Sequence, residues 1–368
     1  MTEPTDAKRY NRIKLQLSIC RMGLSLVFLL LCVTTPLSRL FADMATTVTL
    51  QPYWHYLLFV LITGVAFTLI ELPLDFFGGY VLEHRYGLSN QSIWRWVGET
   101  SKGWAVGGLL MVPVACLLLY VLRHYPDDWW LLFAGALFVF SLLLGVIAPK
   151  LLLPLFYKLQ PLESGTLQET LQGMAEQAKL SITGVFVIDM SKNTKKANAA
   201  FTGLGRSKRV LLGDTLVEEF TEDEIAAVFA HEVGHYRLRH IPKRLLLSGV
   251  STFAAMAVAA WGYQMLVTSL GFSGVADPAA TPLLLLILSL YGMVTILPNN
   301  AYSRAQERQA DTYALQALGR AEPFISGMKK LQTMNLADPE PHPWVERLFH
   351  SHPSVGRRIQ FARDFTFD

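Results

Sequence analysis

Charged residues are scarce in this chain of 368 residues. Asp, Glu, Lys and Arg together make up 17% of it, hydrophobic residues make up 52%, and the mean hydropathy is +0.32. Because a soluble core cannot absorb so much apolar surface, this composition predicts a polytopic membrane protein. The net charge is only +3 and is spread over the loops, which argues against a nucleic-acid partner.

Cysteine is nearly absent as well. The three cysteines, Cys20, Cys32 and Cys116, lie in or beside apolar segments and do not have the spacing of a metal-binding pair. We interpret them as packing or lipid-facing residues.

Six apolar windows are long enough to cross a bilayer, which takes about 20 helical residues. They are predicted at Met22–Phe41, Trp54–Phe76, Trp104–Leu122, Trp129–Ala148, Leu245–Leu270 and Pro282–Leu297. No small-residue cleavage site follows the first window, so it is predicted to remain as a membrane helix. Loops rich in Lys and Arg alternate with loops poor in them, which places both termini and the long central loop in the cytoplasm.

The spans predict a chain organised in four regions. These are a membrane region with four spans at 1–148, a cytoplasmic piece at 149–242, two further spans at 243–298 and a C-terminal piece at 299–368. The first cytoplasmic piece combines an amphipathic helical pattern with short runs rich in Val, Ile and Phe, two of them joined by a turn at Arg206, Ser207 and Lys208. The fold class is therefore mainly α, a polytopic membrane protein whose small α+β domain is split by two spans.

The first cytoplasmic piece ends in FTEDEIAAVFAHEVGHYRLRHIPKR, which carries an H-E-x-x-H motif. Thr221 with Glu224 three residues later predicts a capping box that starts a helix, and Pro242 is predicted to stop or kink it. The motif is therefore expected to be helical.

On a helix, His231 and His235 project from one face at the separation that allows two imidazoles to bind one Zn²⁺. Glu232 then lies near the open coordination position, where it can accept a proton from an activated water. A chance pair of surface histidines is the alternative interpretation, and the context of the motif disfavours it.

A catalytic zinc site needs a third ligand, and the residues close to the motif do not supply one. His240, five residues after His235, points off the ligand face. No Asp or Glu occurs from Ile241 to Ala276, and Asp277 belongs to the opposite side of the membrane by the distribution of Lys and Arg.

The first carboxylate back on the cytoplasmic side is Glu307, with Asp311 one helical turn further on the same face. This pair suits a metal ligand and a second carboxylate that orients a ligand histidine. A solvated helix face paired with the flanking arginines fits the same residues. Two ligands from one helix and one from another, with a position left for water, would be the catalytic form of a zinc site.

The C-terminal run HSHPSVGRRIQ supplies His352, Arg357 and Arg358. A cation or an imidazole near the metal would stabilise the oxyanion that forms when water attacks a carbonyl. A Pro-terminated turn with a basic helix start explains the same residues equally well.

Taken in order, several stretches resemble the M48 metallopeptidases, and most closely their CAAX prenyl protease 1 branch. These stretches, from Glu71 to the C-terminus, are ELPLDFFGGYVLEHRYGLSNQS, LPLFYKLQPLESGTL, NAAFTGLG, RVLLGDTLVE, HEVGHYRLRH, SRAQERQAD and SHPSVGRRI. The resemblance implies a gluzincin-type peptidase with one Zn²⁺ per chain. It also implies a barrel of membrane helices around a water-filled chamber, with the zinc at its cytoplasmic rim.

The resemblance assigns roles to residues that match the family's motifs. The zinc ligands it implies are His231, His235 and Glu307, and the general base is Glu232. It further implies that Asp311 orients a ligand histidine and that His352 and Arg358 steady the substrate carbonyl and the transition state.

The stretch from Asn198 to Phe201 resembles the edge strand that pairs with an extended substrate, which makes Asn198 and Ala199 candidate substrate-binding residues. A plain turn residue before a strand is the alternative interpretation of Asn198.

The chain also departs from the eukaryotic enzymes, because it is shorter and shows six spans where they have seven. The short length favours a prokaryotic member in a bacterial inner membrane over the endoplasmic reticulum. The expected partners are the lipid bilayer and peptide or protein substrates, lipidated or membrane-associated ones included, with a specificity broader than prenylated CAAX sequences. Two alternatives are an HtpX-like quality-control protease and a zinc-binding membrane scaffold that would not need Glu232.

Overall fold

The computed structural model describes residues 4–180, 182–203 and 209–367. Its membrane half comprises α1 (Pro4–Thr34), α2 (Leu37–Thr46), α3 (Pro52–Phe76), α4 (Leu82–Arg85), α5 (Ile93–His124), α6 (Trp129–Ile147) and α7 (Leu153–Phe156). Two π-helical turns, Phe77–Val81 and Ala148–Leu152, continue α3 into α4 and α6 into α7. The turn predicted at Arg206, Ser207 and Lys208 lies outside the described residues.

The second half of the described chain carries one sheet and the remaining helices. In order they are β1 (Leu159–Pro161), α8 (Thr166–Gln177), β2 (Val185–Ile188), β3 (Ala199–Thr202), β4 (Arg209–Gly213), α9 (Asp214–Glu219), α10 (Glu222–Arg237), α11 (His240–Leu266), α12 (Thr281–Leu318), α13 (Glu322–Met334), α14 (Pro343–Phe349) and α15 (Val355–Arg363). The predicted mainly α fold with a small α+β unit is confirmed.

Six helices in the described part of the chain are long and apolar enough to cross a membrane, as predicted. They lie within Asp6–Thr34, Pro52–Arg85, Ile93–His124, Trp129–Phe156, His240–Leu266 and Pro278–Leu318. The bounds of the first predicted span are wrong: α1 ends at Thr34 and α2 follows Pro36, because proline has no N–H with which to continue the helix.

The sheet has the strand order β1-β2-β4-β3, in which β2 and β4 run parallel and the outer pairs antiparallel. β3 therefore lies at an edge, with Ala199 opposite Leu212 of β4. The inner face of the sheet packs on α10, where Val210 and Leu212 contact Ile225 and Phe229 in one buried cluster.

α10 is anchored at its first turn. The predicted capping box is present, with Thr221 accepting a hydrogen bond from the Glu224 N–H and the Glu224 carboxylate accepting one from the Thr221 N–H. Glu224 is buried and also accepts hydrogen bonds from Ser326 and Lys330 of α13. The helix is thus fixed at one end between the sheet and the C-terminal helices.

The prediction that Pro242 ends this helix is wrong. α10 ends at Arg237, Arg239 adopts a left-handed conformation with φ of 56°, and α11 begins at His240. Pro242 falls in the first turn of α11, where a missing N–H costs no helical hydrogen bond.

The last membrane span and the run that contains Glu307 form a single helix. α12 continues through Pro298 and ends at Gly319, which has a φ of 64°. The division predicted between residues 298 and 299 therefore falls within a helix that links the last membrane span to the C-terminal piece.

Candidate metal centre

The two helices that carry the motifs approach each other closely at Gly234. A Cβ atom on Gly234 would lie 3.1 Å from the Cα and the carbonyl oxygen of Ala310 and 3.2 Å from Cβ of Tyr313. A side chain at this position would be closer to α12 than Cβ atoms ordinarily come to their neighbours, so the contact favours glycine. It brings the ligand face of α10 against the acidic face of α12.

Three side chains from these helices converge on one point. His231 Nε2 lies 3.2 Å from His235 Nε2 and 3.2 Å from Glu307 Oε2, and His235 Nε2 lies 3.4 Å from Glu307 Oε1. Donors at tetrahedral positions around Zn²⁺ are about 3.3 Å apart. Their spacing fits a zinc ion with a fourth position left over.

The Glu307 carboxylate also fits a bound cation. Its side chain is buried, with Glu307 1% exposed, and imidazole nitrogens of His231 and His352 lie 3.2 and 2.9 Å from Oε2. A buried carboxylate is costly unless cationic or hydrogen-bonding groups compensate its charge. Two imidazoles and one carboxylate are the donor set of many catalytic zinc sites.

The far side of His231 is held by a buried ion pair. Nδ1 of His231 lies 2.8 Å from Asp311 Oδ1, and Arg358 donates to both Asp311 oxygens, at 2.6 and 2.9 Å. Burial opposes protonation of His231, but hydrogen bonds to Asp311 and Glu307 outweigh it and raise the pKa of the ring to about 9. A metal ion must therefore displace a proton from this ring at neutral pH.

His235 has a different partner, which the sequence did not predict. Its Nδ1 lies 2.9 Å from Nδ1 of His240, whose Nε2 lies 3.0 Å from Gln309 Oε1. His240 is 1% exposed. The left-handed turn at Arg239 starts a new helix and directs this ring back towards α12, a reversal that helical periodicity cannot indicate.

The remaining predicted groups differ in how they face the centre. Glu232 is half-buried, and no hydrogen bond or ion pair engages its carboxylate within the described residues. His352 lies at the open side, with its Nδ1 2.9 Å from Glu307 Oε2 and its side chain 61% exposed. Arg357 turns away and pairs with Glu346 at 3.4 Å.

Arg244 of α11 is a further neighbour that sequence reasoning missed. Its Nη2 lies 3.6 Å from Glu307 Oε1, and its Nε donates to Gln306 Oε1 at 2.5 Å. No motif marks it, since it follows the H-E-x-x-H helix in a separate element.

The candidate substrate-binding residues lie at the edge of the sheet. Ala199 begins β3, and Asn198 is exposed just before it, with its carbonyl accepting a hydrogen bond from Gly213 N at 2.9 Å. β3 contacts α10, the helix of the two ligand histidines.

Comparison with known families gives two matches that together cover nearly the whole chain. Residues 161–366 match the model of peptidase family M48. Residues 3–158 match a model described as the CAAX prenyl protease N-terminal region with five membrane helices. In the described part of this chain, four candidate spans fall within those N-terminal residues.

Individual relatives come from yeasts and from a bacterium. The probable CAAX prenyl protease 1 of Schizosaccharomyces pombe is 34% identical over 302 residues, which cover 81% of this chain but only 63% of the relative's length. The uncharacterized metalloprotease YhfN of Bacillus subtilis is 30% identical over 309 residues, covering 83% of this chain and 72% of that protein. The crystal structure of S. mikatae Ste24p matches with a TM-score of 0.87 and 28% identity, over 98% of this chain and 88% of that one.

Proposed function

This chain belongs to peptidase family M48, and on that premise we propose that it is a membrane-embedded, zinc-dependent endopeptidase. The observation that carries the proposal is the convergence of His231, His235 and Glu307: the two histidine Nε2 atoms lie 3.2 Å apart, and each lies within 3.4 Å of one oxygen of the Glu307 carboxylate. These three residues would hold one Zn²⁺ per chain. When bound, the metal would polarise the scissile carbonyl and lower the pKa of the attacking water.

Glu232 is the proposed general base. Because no hydrogen bond or ion pair engages its carboxylate within the described residues, it can accept a proton from the attacking water. The same carboxyl then returns the proton to the leaving amine.

His352 and Arg358 are proposed to act in different places. His352 lies at the exposed side of the centre, where its ring can donate a hydrogen bond to the substrate carbonyl oxygen as negative charge develops. Arg358 was expected at the same carbonyl, but its guanidinium is bonded to Asp311 behind His231. Its contacts support a positioning role, in which Arg358 and Asp311 together fix the orientation of the His231 ring.

An extended peptide is the proposed substrate. It would add to the free edge of β3 at Asn198 and Ala199 and so run along α10 towards the ligand histidines. We infer that substrates are peptides or proteins at the cytoplasmic face of a bacterial inner membrane. The name of the Schizosaccharomyces pombe relative makes a C-terminal C-a-a-X sequence the first candidate, whereas the name of the bacterial metalloprotease specifies no such sequence.

The test is cleavage by the parent protein and two variants purified in detergent. The probes are β-casein and a peptide ending in C-a-a-X, with and without a farnesyl group, and mass spectrometry identifies the products. Glu232→Gln should retain zinc and lose cleavage. Glu218→Gln, a change at an exposed glutamate before α10, should cleave like the parent.

Two results would overturn the proposal. Parental cleavage rates in Glu232→Gln would remove the general base from the mechanism. A tightly bound zinc with no cleavage of any probe by the parent would favour a scaffold.

A further inference from the structure

The loop after the second membrane helix is bonded to the segment that leads into β3. Lys195 N donates to Leu88 O at 2.9 Å, and Asn90 N donates to Asn193 O at 3.1 Å. These backbone hydrogen bonds join the stretch EHRYGLSNQS, which the proposed chemistry leaves without a role, to the residues just before the candidate substrate strand.

A partly buried cluster of charged and hydroxyl side chains, centred on Glu83, strengthens the contact between this loop and the segment before β3. Glu83 at the end of the second span accepts from Tyr10 at 2.6 Å and pairs with Lys14 at 3.1 Å and with Lys196 at 2.8 Å. Lys196 also donates to the Tyr10 hydroxyl at 2.9 Å. Tyr10 is 3% exposed and the Glu83 side chain 13%, whereas the Lys196 and Lys14 side chains are 28% and 44% exposed, so solvent screens the contact of Glu83 with Lys196 less than its contact with Lys14.

Ala197, the residue after Lys196, is hydrogen-bonded to the end of α13. Ala197 N donates to Asn335 Oδ1 at 3.0 Å, and Asn335 Nδ2 donates back to Ala197 O at 3.1 Å. Lys196 O accepts from the Thr215 hydroxyl at 2.8 Å. The backbone immediately before Asn198 is therefore fixed by parts from three separate regions of the chain.

We propose that Lys196 is a positioning residue for substrate binding, held by Glu83 and Tyr10 so that the free edge of β3 keeps a constant register against α10. This inference rests on the proposed function, because it takes β3 as the strand to which the peptide adds. Strand addition depends on register, since a slip of one residue turns every substrate side chain to the other face. A strand that is already fixed also loses less conformational entropy when the peptide binds.

Lys196→Met separates this role from a purely structural one. The variant leaves Glu83 paired with Lys14 and hydrogen-bonded to Tyr10, so no buried charge is left uncompensated. The neighbouring Lys195 is exposed and engages the loop through its backbone N–H. Lys195→Met is therefore a matched control one residue away.

The experiment measures peptide affinity in the Glu232→Gln background, where bound peptide is not consumed. The probe is a fluorescein-labelled peptide that spans a bond cleaved by the parent, in β-casein or at the C-a-a-X end. Lys196→Met should raise the Kd about tenfold, with zinc content unchanged, and Lys195→Met should leave the Kd unchanged. Lys196→Arg should restore most of the affinity, and Asn335→Ala should weaken binding in the same direction as Lys196→Met.

Equal Kd values for Lys196→Met and Lys195→Met would overturn the inference, as would a lower melting temperature of Lys196→Met with an unchanged Kd. In either case the proposed function stands, because the peptide still binds. If the Glu232→Gln protein binds no peptide at all, the proposed function and this inference fail together.

Discussion

The Nδ1 atoms of His235 and His240 lie 2.9 Å apart. Two ring nitrogens at this distance share one hydrogen, so His235 donates from Nδ1 when its Nε2 is used for a metal. His240 must then carry its own hydrogen on Nε2, which lies 3.0 Å from Gln309 Oε1. The tautomers of both rings are thus fixed by a chain that ends on α12.

Replacing His240 is expected to weaken metal binding. His240→Phe keeps the buried ring but removes the acceptor for His235, and the loss of such an outer partner lowers zinc affinity about 10- to 100-fold. Competition with a chromophoric chelator in detergent measures the affinity. His124→Phe, at the exposed C-terminal end of α5, is the control and should bind zinc like the parent. Equal affinities for the two variants would contradict the role of His240.

A methyl group at Gly234 is expected to separate α10 from α12. Its Cβ would lie 3.1 Å from Ala310 backbone atoms, which would have to shift by a few tenths of an ångström, so Gly234→Ala should destabilise the protein by about 1–3 kcal/mol and lower zinc affinity. Gly173→Ala in α8 is the control, because nothing lies within 4 Å of the added atom. That change should stabilise by about 0.5–1 kcal/mol. Thermal unfolding that shifts equally in both variants would contradict the close helix contact.

The contribution of Glu224 to stability is expected to depend on pH. Burial raises the pKa of its carboxyl, but hydrogen bonds from Lys330, Ser326 and the Thr221 backbone outweigh this and hold the pKa below its usual range. The stabilisation is therefore complete above the unfolded pKa of about 4.3 and is lost as the pH falls through the lower folded pKa.

Glu224→Gln should lower the free energy of unfolding by about 1–3 kcal/mol at pH 7. The difference from the parent should shrink as the pH falls below about 4, because the unfolded parent is then protonated at this carboxyl and, at lower pH, the folded parent is too. Melting temperatures in detergent across this range test the expectation. Glu218→Gln should show no such trend. A loss of stability in Glu224→Gln that stayed constant with pH would contradict the expectation.

Local signals in the sequence were enough to predict the main features of the site. The pair Thr221 and Glu224 predicted where α10 begins, since a capping box involves only neighbouring residues. The acid-free stretch after the motif directed attention to Glu307, which the structure brings within 3.2 Å of His231. Long apolar runs predicted the six candidate spans for the same local reason.

Features that depend on the path of the chain were missed. His240 was set aside on helical periodicity, but the helix ends before it and the turn at Arg239 changes its direction. The family resemblance implied a role for Arg358 at the substrate carbonyl, and no sequence pattern indicated that its guanidinium bonds to Asp311. The contact between Lys196 and Glu83 joins residues of separate regions, and no sequence pattern indicates it.

His231, His235 and Glu307, from two helices separated by membrane spans, are expected to bind one zinc ion that Glu232 does not ligate. The measurement is zinc per chain, by mass spectrometry, on purified Glu307→Ala and Glu232→Gln. Close to one zinc is expected in Glu232→Gln and far less in Glu307→Ala. Equal zinc in both variants would show that Glu307 is not a ligand.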